Sequence, residues 1–166
     1  MSGQRKPVLT GGCQYGAMRY TLYADPEQAG LCHCRICQKA VGGPFKAWAN
    51  VRMTNFAWTR GAPSVFRSSS AAERGFCAQC GTPLYFNYLR RTDSISVTVG
   101  SLDTPGAVRL SRADGTESRL ANFAPDVLAA LPTSATADTG GAKDLSCAVS
   151  YQHPDHDTPP DWHPPT

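Results

Sequence analysis

The 166-residue sequence contains no apolar stretch of about 20 residues, the length that a membrane-spanning helix needs. Its opening, Met1-Ser2-Gly3-Gln4-Arg5-Lys6-Pro7, also lacks the apolar core of a secretory signal. The expectation is therefore a cytoplasmic protein with no membrane partner. Charge is scarce too, at 17% Asp, Glu, Lys and Arg, with a net charge of only +3. The basic residues are scattered and form no tract, so no nucleic-acid partner is expected. With 15 Gly and 13 Pro against so little charge, strands, turns and loops are favoured over long helices.

The length allows one domain with a real core and is too short for two comfortable ones. Residues 1–10 read as a flexible leader. Strand-like runs follow at Ala17–Tyr23, twice within Phe45–Trp58, and at Ser64–Ser69, Glu73–Phe76, Leu84–Leu89 and Ser94–Val99. The last of these alternates Ile95, Val97 and Val99 with Ser96 and Thr98. Asp25-Pro26 and Arg60-Gly61-Ala62-Pro63 mark turns, and Gly42-Gly43-Pro44 reads as a loop. The one helical stretch is Asp126–Leu131. The fold class is thus mainly β, a single small domain over 11–131. Residues 132–166 are rich in Pro, Thr and Ser and short of large apolar side chains, which predicts a mobile or loosely docked tail.

Seven cysteines carry the chemistry: Cys13, Cys32, Cys34, Cys37, Cys77, Cys80 and Cys147. In a reducing compartment, clustered thiols are more often metal ligands or redox groups than disulfides. Cys32-His33-Cys34-Arg35-Ile36-Cys37 brings three sulfurs close enough to converge on one tetrahedral ion, and zinc is the usual guest of such a set. His33 has a ligand on each side, which turns its ring away. Three protein ligands with a fourth position open is the pattern of a reactive zinc.

Cys77-Ala78-Gln79-Cys80-Gly81 reads as a zinc knuckle, Gly81 supplying a positive φ. A thioredoxin-type dithiol would open a helix instead, and here Thr82-Pro83 leads into a strand-like run. Cys13, after Gly11-Gly12, is the available third ligand. The tail residues His153, His156 and His163, with Asp155 and Asp157, read as a solvated segment rather than a further metal site. Trp48, Trp58 and the tyrosines read as core or strand-face residues.

Gly11-Gly12-Cys13-Gln14-Tyr15-Gly16-Ala17-Met18-Arg19-Tyr20, Cys32 to Lys39, Arg74-Gly75-Phe76-Cys77-Ala78-Gln79-Cys80-Gly81 and Gly100-Ser101-Leu102-Asp103 together resemble the glutathione-dependent formaldehyde-activating enzyme family, to which S-(hydroxymethyl)glutathione synthase and the centromere protein V branch belong. The resemblance spans about residues 8–131 and implies a zinc-binding domain of β-tent type with two zinc sites. It implies a catalytic-type zinc on Cys32, Cys34 and Cys37 and a structural-type zinc on Cys13, Cys77 and Cys80. The pattern breaks at Tyr15, where the family's second N-terminal cysteine would stand. A phenol with a pKa of about 10 is a poor zinc ligand at neutral pH. The second site is then three-coordinate plus water, completed from elsewhere, or weakly occupied. Cys147 is the spare thiol.

Zn²⁺ with three thiolates has a formal charge of −1 and weak Lewis acidity, so holding an incoming thiol as thiolate is its better use. The implied reaction joins a thiol such as glutathione to a small aldehyde such as formaldehyde, or breaks that adduct. No catalytic residue beyond the metal ligands is assigned; Arg35, Lys39 and Lys46 read as solvated surface charges. The alternatives are a non-catalytic zinc-stabilised binding module and a thiol redox enzyme cycling a Cys77–Cys80 disulfide.

Overall fold

The structure, a computed structural model, describes residues 5–133 and 149–164. Among these lie ten strands: β1 (Leu9–Gly12), β2 (Arg19–Leu22), β3 (Gln28–Cys32), β4 (Lys46–Arg52), β5 (Phe56–Arg60), β6 (Ser64–Ser69), β7 (Ala72–Phe76), β8 (Pro83–Tyr88), β9 (Ser94–Thr98) and β10 (Arg112–Asp114). Two short helices, α1 (Arg35–Val41) and α2 (Pro125–Ala129), complete the regular structure. The mainly β expectation holds. Cys147 lies outside the described residues.

The strands form a three-stranded sheet in the order β1-β2-β5 and a seven-stranded sheet in the order β10-β3-β4-β9-β8-β7-β6. All pairs are antiparallel except β10 against β3. Period-two alternation decides the faces of the large sheet. Ala49, Val51, Ile95 and Val97 join a buried cluster with Tyr20, Leu22 and Phe56 of the small sheet. Aromatic contacts run through it, Tyr20 on Phe56 and Trp58, and Trp58 towards Tyr85. Fully buried side chains of this size each stabilise by roughly 1.5–3 kcal/mol. On the opposite face, Lys46, Trp48, Asn50, Arg74, Phe86 and Ser96 line a cavity instead. One sheet therefore has a core side and a site side.

Three features differ from the sequence reading. Leu9 and Thr10 belong to β1, with Leu9 buried, so the leader gives way to structure before residue 11. The Cys34–Gly42 segment is helical: α1 starts at Cys34 without a side-chain cap and stops at Gly42, whose N–H donates to Gln38 O. Its seven residues are too few to show a helical apolar period, and the cysteine cluster masks it.

The third is His153, in the segment 149–164, which docks on the small sheet. His153 is 4% exposed, its amide donates to Gln14 O at 2.7 Å, and its ring meets Trp162 edge-on. Arg60 donates to the carbonyls of Thr158 and Pro159. Arg19, 2% exposed, pairs with both Asp103 and Asp157. His153 is thus no solvated residue; a polar, proline-rich sequence is held here by hydrogen bonds and one ion pair rather than by apolar bulk.

Candidate metal centres

The first triad is assembled by three adjoining elements. Cys32 ends β3, Cys34 sits at the start of α1, and Cys37 lies in its first turn. Their sulfurs all fall within 4.8 Å of one another, with Cys32 and Cys34 at 3.4 Å. A tetrahedral thiolate set has sulfurs roughly 3.8 Å apart, so the triad fits a single ion. The loop before α1 is pinned from the side: His33 N donates to Asp114 O at 2.8 Å, and Gln38 Nε2 donates to His33 O at 2.6 Å and to Ser118 O at 3.0 Å. Gly115, at φ 61°, packs on Cys34 so closely that a Cβ there would stand 2.7 Å from the Cys34 amide nitrogen. The His33 ring turns away and meets Phe45 edge-on.

The second triad joins Cys13, in the turn after β1, to Cys77 and Cys80 between β7 and β8; these three sulfurs also lie within 4.8 Å of one another. The knuckle closes with Gly81 N donating to Cys77 O at 2.8 Å, and Gly81 has the positive φ, 76°, that its position requires. A strand, β8, follows, not the helix of a thioredoxin-type site. Met18 N donates to Cys13 Sγ at 3.3 Å. Tyr15 is 39% exposed, and its backbone N–H helps hold the Cys80 thiol low.

In both triads the protons are unevenly held. Burial, reinforced by Cys77 and Cys80, pushes the Cys13 thiol up to about 11. Burial with Cys34 and Cys37 nearby pushes Cys32 up to about 12. For Cys34 burial acts upward, but the amides of Cys37 and Ile36 and the thiols of Cys32 and Cys37 outweigh it and lower the pKa. Burial likewise opposes the lowering of Cys80, yet Thr82, Tyr15 and Cys77 bring it down to about 7. Each triad thus sets a thiol that ionises more readily, Cys34 or Cys80, beside one that burial holds protonated, Cys32 or Cys13, and a bound cation would favour release of that proton. Each could hold a metal ion.

The chain's match to known proteins agrees with this geometry. The sequence profile of the glutathione-dependent formaldehyde-activating enzyme family matches residues 8–114, more than half of the chain. The chain belongs to that family. A Schizosaccharomyces pombe protein described as an uncharacterized lyase is 32% identical over 82 residues, 49% of this chain and 59% of that protein, so the match spans less than two thirds of the relative's length. A Rhodobacter sphaeroides protein of known crystal structure superposes with a TM-score of 0.45 at 22% identity, over 55% of this chain and 85% of its own. No helix among the described residues is long and apolar enough to cross a membrane.

The two triads of this family member differ in surroundings. Cys32, Cys34 and Cys37 face a cavity of about 480 Å³ on the site side of the large sheet. Cys13 and Cys80 border a smaller space of about 420 Å³, flanked by Gln152, His153 and Asp155 of the docked tail. The sequence brought out all six cysteines but not the cavity wall. Arg35 and Lys39 are exposed, as read; Lys46 is not, being 3% exposed beside the first triad. Burial, with the charge of Arg74 nearby, lowers its pKa to about 8. The signal was available in the strand parity, since Lys46 shares a face with Trp48 and Asn50 and pairs in register with Cys32. Arg74, two residues before Phe76, donates from Nη2 to Cys37 Sγ at 3.4 Å.

Proposed function

We propose that this chain is a carbon–sulfur lyase-like enzyme, joining a thiol such as glutathione to a small aldehyde such as formaldehyde or reversing that addition. The observation that carries the reading is the first triad's exposure to a cavity large enough for a small thiol and aldehyde, while Cys13 and Cys77 of the knuckle triad pack in the core and the space beside them is flanked by the docked tail. Family membership and the lyase description of the fission-yeast relative support the same reaction class.

In this reading the donor sets select zinc, because soft thiolates favour it over magnesium, calcium or manganese. Cys32, Cys34 and Cys37 hold the catalytic-type ion, and Cys13, Cys77 and Cys80 the structural-type ion, with no cysteine at Tyr15 to make a fourth. Zinc bound at the first triad would keep an incoming thiol in its thiolate form at neutral pH. The chain's own groups do the rest. Trp48 and Phe86 wall the cavity with apolar surface, and the cation of Arg74 sits against Cys37 and offsets thiolate charge. Addition forms one S–C bond and breaks the carbonyl π bond. The proton that leaves the thiol ends on the former carbonyl oxygen, with no change of oxidation state. A cytoplasmic setting keeps the thiols reduced for this work.

The test is exchange spectroscopy by NMR on the zinc-loaded full chain with formaldehyde and glutathione. Faster interconversion of free glutathione and its hydroxymethyl adduct than in buffer is the expected result. No acceleration over a panel of thiols and aldehydes would overturn the proposal.

A further inference from the structure

Lys46 presents a problem of charge. Its side chain is buried, yet among the described residues it makes no hydrogen bond and no ion pair. A buried, unpartnered ammonium is costly unless something satisfies it. Arg74 compounds the cost. Its guanidinium centre stands 4.9 Å from the Phe86 ring centroid and Lys46 Nζ stands 5.4 Å from the same centroid, so two cations share one aromatic side chain. The Nε of Arg74 is also buried without a hydrogen-bond partner among the described residues. Both residues line the cavity that holds the first triad.

The geometry points to a carboxylate subsite formed by Lys46 and Arg74 beside the Cys32/Cys34/Cys37 triad, serving a substrate whose carboxylate lies one carbon from the reacting sulfur or carbonyl. This rests on the reading of that triad as the thiol site. Lys46 has no hydrogen-bond or ion-pair partner among the described residues, and Arg74 has only the Cys37 sulfur and leaves its Nε free, so the two cations keep donors for an anion with two oxygens; guanidinium–carboxylate pairs are the strong, oriented case. Reach sets the substrate class. Arg74 Nη2 is 3.4 Å from Cys37 Sγ, and a carboxylate accepting from this guanidinium at about 2.8 Å stays on the order of 5 Å from the triad sulfurs. The nearer carboxylate of glutathione lies across a peptide bond from its sulfur and reaches that position only with the chain folded back on itself. A 2-oxo acid aldehyde such as glyoxylate, or a mercapto acid such as mercaptoacetate, has the carboxylate at the right remove. The rival explanation is that the two cations only neutralise the triad's own thiolates.

Calorimetric titration of the zinc-loaded chain with mercaptoacetate and with 2-mercaptoethanol separates these. The subsite predicts at least about tenfold tighter binding of mercaptoacetate, a smaller preference in Lys46→Met where Arg74 remains, near parity in Lys46→Met/Arg74→Met, and retention of most of the preference in Lys46→Arg. NMR exchange with a neutral thiol and either glyoxylate or formaldehyde then tells whether the aldehyde brings the carboxylate; a preference confined to mercaptoacetate assigns it to the thiol. Equal binding of the two thiols in the wild type, or a preference undiminished in Lys46→Met, overturns the subsite. A sulfur-free readout keeps the two readings apart. Acetate, a weak zinc ligand, should shift the Lys46 and Arg74 side-chain resonances in the wild type and the Arg74 resonance less in Lys46→Met. No shift overturns the subsite even where thiols bind, whereas a shift with no thiol binding supports the subsite and overturns the thiol site.

Discussion

Replacing Asp103 by Ala removes the carboxylate that accepts from both Nη1 and Nη2 of Arg19. Arg19 is 2% exposed and the Asp103 side chain 8%, so the guanidinium left behind is a buried charge with only Asp157 to face it. Breaking a buried pair in this way costs about 3–5 kcal/mol. For a chain of this size that is a fall in melting temperature of roughly 6–20 °C. Asp157→Ala touches the same guanidinium from the solvent side. Its carboxylate is 52% exposed and Asp103 remains in place, so the loss should be about 0–1 kcal/mol. The assay is thermal or urea unfolding of the metal-loaded chain at neutral pH. A deficit in Asp157→Ala as large as in Asp103→Ala would refute the reasoning. Acid gives a second check. Burial acts to raise the Asp103 carboxyl, but hydrogen bonds from Arg19 and Thr10 and the Arg19 charge prevail and hold it below the usual carboxylate range. A pKa depressed on folding stabilises above the unfolded value of about 3.9, and that contribution fades as pH falls through the lower folded value. The gap between wild type and Asp103→Asn should therefore be full at neutral pH and shrink below about pH 4. A gap that widens in acid would contradict the pairing.

His153→Ala should loosen the segment 149–164 by removing the ring that packs over Gly16, lies 3.5 Å from Arg19 Nη1 and braces Trp162 and Thr158, a loss of about 1–3 kcal/mol. Limited proteolysis would read this as faster cleavage after residue 149 with the β-sheet core still resistant, and an unchanged cleavage rate would count against the docking. Gly115→Ala sets a Cβ against Cys34 in a backbone region that disfavours side chains. Competition with a chromogenic chelator should show about 10–100-fold weaker metal binding at the first triad and no change at the second.

The parts of the fold legible in the sequence are those with strong local signals. Ser94–Val99 alternates cleanly and becomes β9, and Gly81 after Cys80 takes the left-handed conformation that a knuckle demands. Spacing marks the Cys32/Cys34/Cys37 and Cys77/Cys80 groups, and Cys13, read only as the available third ligand, joins the second with its sulfur within 4.8 Å of the other two. Non-local features were out of reach. The three-residue β10 exists because it pairs with β3, and nothing in Arg112-Ala113-Asp114 itself marks a strand. His153 sits in a polar run whose composition argues for solvent, yet it is buried by partners more than a hundred residues away, Gln14 and Arg19. Lys46 is the instructive case. Its residue type argues for the surface, its strand parity for a face shared with Trp48, and parity prevails because Lys46 lies opposite Cys32 and packs against Phe86 on that face.

Metal content per chain, measured by elemental mass spectrometry for the wild type, Cys34→Ala and Cys80→Ala, tests most directly whether each cysteine triad takes one metal ion. Two zinc ions in the wild type and one in each variant is the predicted result. A wild type with no bound metal, or a single ion whose loss follows both substitutions, would contradict it.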